Sequence, residues 1–144
     1  MKKIILTLAI AIGSLTSFAR EAEVTQKVLD AFNSEFNQAT EVSWTVAKDY
    51  YKATFMYNDR YVFAYYTENG ELLAMTRYIS SEDLPLSLIT SLKKNYGDYW
   101  ISDLFEMAKN EGTQYVVTLE NADSKLILKA SSGTWSVHQK IRKA

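Results

Sequence analysis

The sequence predicts an α+β fold, a tandem duplication of one helix followed by four antiparallel strands, with both helices packed on one face of a curved antiparallel sheet. Three observations carry that expectation. Apolar residues recur at three- and four-residue spacing in two short stretches, Val24 to Phe36 and Pro85 to Tyr96. After each stretch come β-branched and aromatic runs punctuated by turn pairs, Asn58-Asp59 and Asn69-Gly70 in the first half and Ser132-Gly133 in the second. The two layouts recur at an offset of roughly sixty residues, beyond the ~20–50-residue periods of stacked repeats, so a duplication inside one compact domain is expected.

In chain order, residues 1–19 read as a signal peptide. Lys2 and Lys3 form a charged start, Ile4 to Ile12 a short apolar run, and Ser17-Phe18-Ala19 a small-residue cleavage site. The apolar run falls short of the ~20 residues that span a bilayer. With no cysteine there is no lipoprotein anchor and no disulfide. Cleavage after Ala19 then leaves residues 20–144 as a single exported domain, periplasmic or secreted, built of two repeats at about 20–79 and 80–144. Without Lys2 and Lys3 the 16 basic residues fall to 14 against 17 acidic, a net charge of −3. No long basic run remains, which argues against a nucleic-acid footprint or a polybasic membrane patch.

Glu21 and Glu23 suit the positive end of a first helix, whose stripe is Val24, Val28, Ala31, Phe32 and Phe36. Val42, Trp44 and Val46 alternate as a first strand. A two-residue loop at Asn58-Asp59 pairs Tyr57 with Arg60, Phe55 with Val62 and Ala53 with Ala64. That register puts Tyr51, Ala53, Phe55, Tyr57, Val62, Ala64 and Tyr66 on a helix-facing core. At Asn69-Gly70 two turns compete: a type I′ loop pairs Tyr66 with Leu73, and a type I turn with a Gly70 bulge pairs Tyr66 with Leu72. Pro85 opens a second helix with Leu88, Ile89, Leu92 and Tyr96 as its stripe. Tyr99 to Lys109, Gln114 to Glu120, Lys125 to Ala130 and Thr134 to Ile141 follow as strands, the first without a fixed register and the last with Trp135, Val137 and Ile141 together.

Several of these positions resemble the PepSY-like family, also described as β-lactamase-inhibitor-like, of small exported bacterial proteins. They are Ala31-Phe32 and Phe36, Ala39, Val42-Ser43-Trp44, Tyr51 and Phe55, the run Ala64-Tyr65-Tyr66-Thr67-Glu68-Asn69-Gly70, then Leu84-Pro85 and Tyr96. The resemblance spans essentially the whole chain after residue 19. It implies a tandem helix–sheet fold whose open sheet face is available to a protein partner, and it implies no enzymatic activity. The matching positions are core and turn residues, so no binding residue is carried over.

No catalytic set is legible. His138 is the single histidine, and its expected neighbours Ser136 and Lys140 are neither ligands nor acids, so a metal site or a triad is not expected. Glu82-Asp83 precedes a helix, where acids cap. Of the five glycines, the four after residue 19 fall at turns and a helix end, with no phosphate-cradling run and no cofactor motif. What carries functional weight is the aromatic set opposite the core: Tyr61, Phe63 and Tyr65, with Tyr50 and Met56 beside them. Tyrosine offers large apolar area and a hydroxyl at low entropy cost, as interfaces favour. The expectation is a non-catalytic binding module for an unidentified envelope or extracellular protein, with inhibition as one form of that role. A small-molecule carrier and a structural homo-oligomer, such as a homodimer, are the rival readings. On the binding reading, Tyr61→Ser with Tyr65→Ser is expected to leave stability within ~1 kcal/mol.

Overall fold

The structure is a computed structural model that describes residues 24–144. The signal segment expected over 1–19, and the helix-opening role of Glu21 and Glu23, lie outside the described residues. Helix α1 (Gln26–Glu35) is capped by Thr25, whose hydroxyl oxygen accepts from the Val28 N–H at 3.4 Å. Four strands follow: β1 (Thr40–Val46), β2 (Tyr51–Tyr57), β3 (Arg60–Tyr66) and β4 (Leu72–Tyr78). A 3-10 turn at Ser81–Asp83 leads to α2 (Leu86–Asn95), which begins directly after Pro85. The chain closes with β5 (Trp100–Lys109), β6 (Gly112–Glu120), β7 (Ser124–Ala130) and β8 (Ser136–Arg142).

All eight strands form one antiparallel sheet in simple sequence order. This overturns the expected fold class. In place of an α+β chain made of two helix-plus-four-strand units, the molecule is one continuous eight-stranded sheet on which two ten-residue helices form a minor layer. The physical cause is the pairing of β4 with β5. Met75 to Tyr78 pair with Ala108 to Phe105, and the Ile79 N–H continues the ladder to the Leu104 carbonyl at 3.1 Å. The sheet therefore runs unbroken past the polar connector Ser80–Asp83, where the sequence pattern places a boundary.

Cross-strand partners share a face, which sorts the side chains directly. Ala64, Met75 and Ala108 form one row and Val62, Arg77 and Glu106 the next, both on the helix side. There α1 sets Val28 and Phe32 on Ala53, Phe55, Ala64 and Tyr66, and Phe32 meets Trp44 and Phe55 edge-on at 5.2 and 5.0 Å. Further along the same face, α2 sets Leu88 and Leu92 on Leu104, Val117, Leu119, Leu126 and Leu128. The Trp135 indole N–H donates to the Leu88 carbonyl at 3.0 Å and ties the approach to β8 onto α2.

The β2–β3 register is the one the two-residue loop dictates, Tyr57 with Arg60 through Tyr51 with Tyr66. Asn58 and Asp59 take φ of 50° and 62°, the two left-handed residues a type I′ turn requires. At the next turn the Gly70 bulge wins: Gly70 has φ 83°, the Thr67 N–H bonds the Glu71 carbonyl at 2.9 Å, and Tyr66 pairs with Leu72. A second irregularity at Leu73 then pairs Tyr65 with Ala74. Ala74, Thr76 and Tyr78 consequently lie opposite the helices. A bulge also corrects the last strand. Leu128 pairs with Val137 but Ile127 with Gln139, so His138 is the extra residue and Val137 and Ile141 lie on opposite faces, not together.

The Tyr66 hydroxyl is fully buried without a hydrogen-bond partner. An unsatisfied buried donor costs stability, so Tyr66→Phe is expected to raise the unfolding free energy by up to about 1 kcal/mol in urea titration. A loss on that substitution would show that the hydroxyl has a partner.

Candidate functional site

The face opposite the helices holds a third apolar cluster. Tyr65, Ala74, Phe105, Met107 and Val116 are buried there, with Tyr50, Phe63, Leu73 and Ile127 packed around them. Apart from Tyr50, in the turn before β2, these side chains come from adjacent strands β3 to β7. Among the described residues no helix lies over them, since α1 and α2 both occupy the other side.

Of the five residues the sequence singles out, the structure brings three together. Tyr50 meets Tyr65 edge-on at 5.4 Å, and Phe63 packs against the same cluster. Met56 and Tyr61 are cross-strand partners further out on the same face. Tyr61 is 52% exposed, and its hydroxyl donates to Glu41 Oε2 at 3.1 Å, which raises the phenol pKa. Glu41 reaches it from a left-handed backbone, φ 54°, at the irregular start of β1.

Tyr65 corrects one expectation. At 8% exposure it belongs to the cluster's interior, and burial is the main cause raising its pKa. Replacing it by serine therefore removes packing, and the stability-neutral double substitution at Tyr61 and Tyr65 does not hold. The position that serves instead is Tyr78. It is 58% exposed and meets Phe63 edge-on at 5.9 Å.

Sequence reasoning missed three contributors to this face. Tyr78 and Phe105 come from β4 and β5, whose faces depend on bulges at Leu73 and between Ile101 and Asp103. Lys52 is the third. Its ammonium lies 4.7 Å from the Phe63 ring centroid and 5.8 Å from that of Tyr65, and burial pushes its pKa down. The register that pairs Lys52 with Tyr65 was available from the Asn58-Asp59 loop. These side chains border a pocket of about 140 Å³ lined by Lys52, Phe63, Tyr65, Thr76, Arg77, Tyr78 and Phe105.

The remaining polar candidates have structural explanations. Asp83 Oδ2 accepts from the Ser80 N–H at 3.0 Å and its hydroxyl at 3.1 Å, and Arg60 lies 3.4 Å away. The Ser80 bonds, and then Arg60, hold its carboxyl below the ordinary range. His138 is exposed on the bulge of β8. Among the described residues no group of three His, Asp or Glu side chains is placed to hold a metal. No helix among them is long and apolar enough to cross a membrane.

No protein-family model matches the chain, and no curated protein matches it at a significant level. Solved structures do. A BLIP-like protein from Bacteroides fragilis superposes with TM-score 0.71 at 22% identity, over 83% of this chain and 86% of that one. A DUF2874 family protein from Bacteroides uniformis gives 0.73 at 13% identity, over 83% and 90%. A Bacteroides eggerthii protein of provisional periplasmic assignment gives 0.73 at 14% identity, over 83% and 89%. At these identities the likeness is one of fold. It supports the β-lactamase-inhibitor-like side of the sequence resemblance and leaves the PepSY-like side unshown.

Proposed function

We propose that this chain is an exported, non-catalytic module that docks a protein partner on the sheet face opposite its helices. The observation that carries the reading is the apolar cluster from β3 to β7, which lies on the side away from both helices and is edged by the half-exposed rings of Tyr61 and Tyr78. Aromatic residues in such a setting serve as interface anchors. The pocket beside Lys52 on this face, about 140 Å³, is well below the ~300–1,000 Å³ of small-molecule sites; hollows of about 330 and 340 Å³ lie beside Arg60 and Glu106 and beside Ser80 and Asp103. The fold likeness to a BLIP-like protein supports the reading and makes an enzyme the first partner to try, with inhibition as the outcome. The signal-like N-terminus and the likeness to a protein provisionally assigned to the periplasm support an envelope or extracellular location.

The test is Tyr61→Ser with Tyr78→Ser. Both rings are more than half exposed, so unfolding stability should stay within ~1 kcal/mol of wild type. Crosslinking capture from the native envelope fraction should lose its partner in this variant and keep it in Leu86→Ser, an exposed change on α2. Equal capture by all three proteins removes the docking face. A covalent product containing only this chain, with a dimer in light scattering, identifies the partner as a second copy.

A further inference from the structure

Each ion pair among the described residues joins a cation to an acid of this chain: Arg60 to Asp83, Arg77 to Glu106 and Lys143 to Glu120. Lys52 has no carboxylate within 4.0 Å among those residues, although it is partly buried near the start of β2. The Phe63 and Tyr65 rings compensate part of its lost hydration, their centroids lying 4.7 and 5.8 Å from the ammonium. A partly desolvated ammonium gains further from an anion.

The other acids on this face are engaged elsewhere. Glu41 accepts from Tyr61, and Glu120 is paired with Lys143 at 3.1 Å. Asp103 interacts with Lys125 and Tyr78. Lys109 and Lys129 also stand on this side of β5 and β7 by their strand register, so the face as a whole favours an acidic partner.

Pocket size narrows the class further. A cavity of ~150 Å³ holds a molecule the size of benzene, and the space beside Lys52 is about 140 Å³. One short side chain fills it. Phe63, Tyr78 and Phe105 supply apolar walls for methylene groups, and Lys52 and Thr76 supply polar atoms.

Resting on the docking-face reading, we infer that this pocket receives a single Glu or Asp side chain of the partner protein, with Lys52 as its counter-ion. The partner's contact segment is therefore acidic at its centre.

Random peptides displayed on phage provide the probe, selected in parallel on the wild-type chain and on Lys52→Glu. The wild-type pool should be enriched in Glu and Asp, and the Lys52→Glu pool in Lys and Arg. Wild-type binders should weaken at least tenfold on Lys52→Met, which keeps the apolar stem over the rings, and should survive Lys52→Arg. A wild-type pool without acidic enrichment, or binders indifferent to Lys52→Met, overturns the inference. If such binders still fail on Tyr61→Ser with Tyr78→Ser, the docking face stands without its acid. Binders indifferent to every substitution, or none recovered, overturn both.

Discussion

Phe55→Ala is expected to remove about 4 kcal/mol from the free energy of unfolding, in keeping with the 3–5 kcal/mol typical of emptying a buried phenylalanine site. The Phe55 ring is 0% exposed and lies 5.0 Å from Phe32 and 4.9 Å from Phe36, centroid to centroid. It is the floor on which α1 rests. Against a total of roughly 5–15 kcal/mol for a domain, that loss is large. It should also be shared by the whole sheet. β4 and β5 are hydrogen-bonded neighbours, and the cluster of Tyr65, Ala74, Phe105, Met107 and Val116 spans their junction on the other face. Variants keeping only Trp44, under α1, or only Trp135, against α2, report on the two ends. Their urea midpoints should coincide in the parent and move together on Phe55→Ala. Separate midpoints would show that the sheet's two ends unfold independently.

What the sequence made legible follows from where alternation alone decides. The helix-facing set on β2 and β3 was readable because a two-residue turn admits one register, and that register fixes seven consecutive pairs. The aromatic face was readable for the same reason. Bulges were not. The shifts at Leu73, between Ile101 and Asp103, and at His138 each move later residues to the other face, and a bulge leaves no period in the sequence. Tyr78, Phe105 and the split of Val137 from Ile141 were hidden by these shifts. The fold class was misread for a different reason. Joining β4 to β5 spans the 3-10 turn and all of α2, and no local pattern tells a strand which distant neighbour it will pair with. Lys52 was overlooked although its register was in hand, because a lysine in a strand reads as a solvated residue until its partners are counted.

Gly70→Ala should cost about 3 kcal/mol, for two reasons that can be measured apart. The first is conformational: Gly70 sits at φ 83°, where a Cβ costs roughly 1–2 kcal/mol. The second is steric: a Cβ there would lie 2.7 Å from the Lys27 carbonyl oxygen, in the first turn of α1. This close approach is how the β3–β4 turn seats the helix, and the Thr25 hydroxyl, donating to the Glu68 carbonyl at 3.1 Å, fastens the same junction. Two other glycines separate the terms. Gly112 has φ 133° with nothing within 4 Å of a Cβ, so Gly112→Ala carries strain alone and should cost about 1–2 kcal/mol. For Gly133 the nearest contact would be the Ser87 hydroxyl at an ordinary 3.6 Å, and Gly133→Ala should stay within about 0.5 kcal/mol. Gly70→Asn decides the matter. Asparagine tolerates a left-handed backbone but still brings a Cβ against Lys27. Urea titration should place it between wild type and Gly70→Ala, with the clash against Lys27 as the remaining cost. If asparagine restores wild-type stability, the helix does not rest on this turn, and α1 is held by its apolar stripe alone.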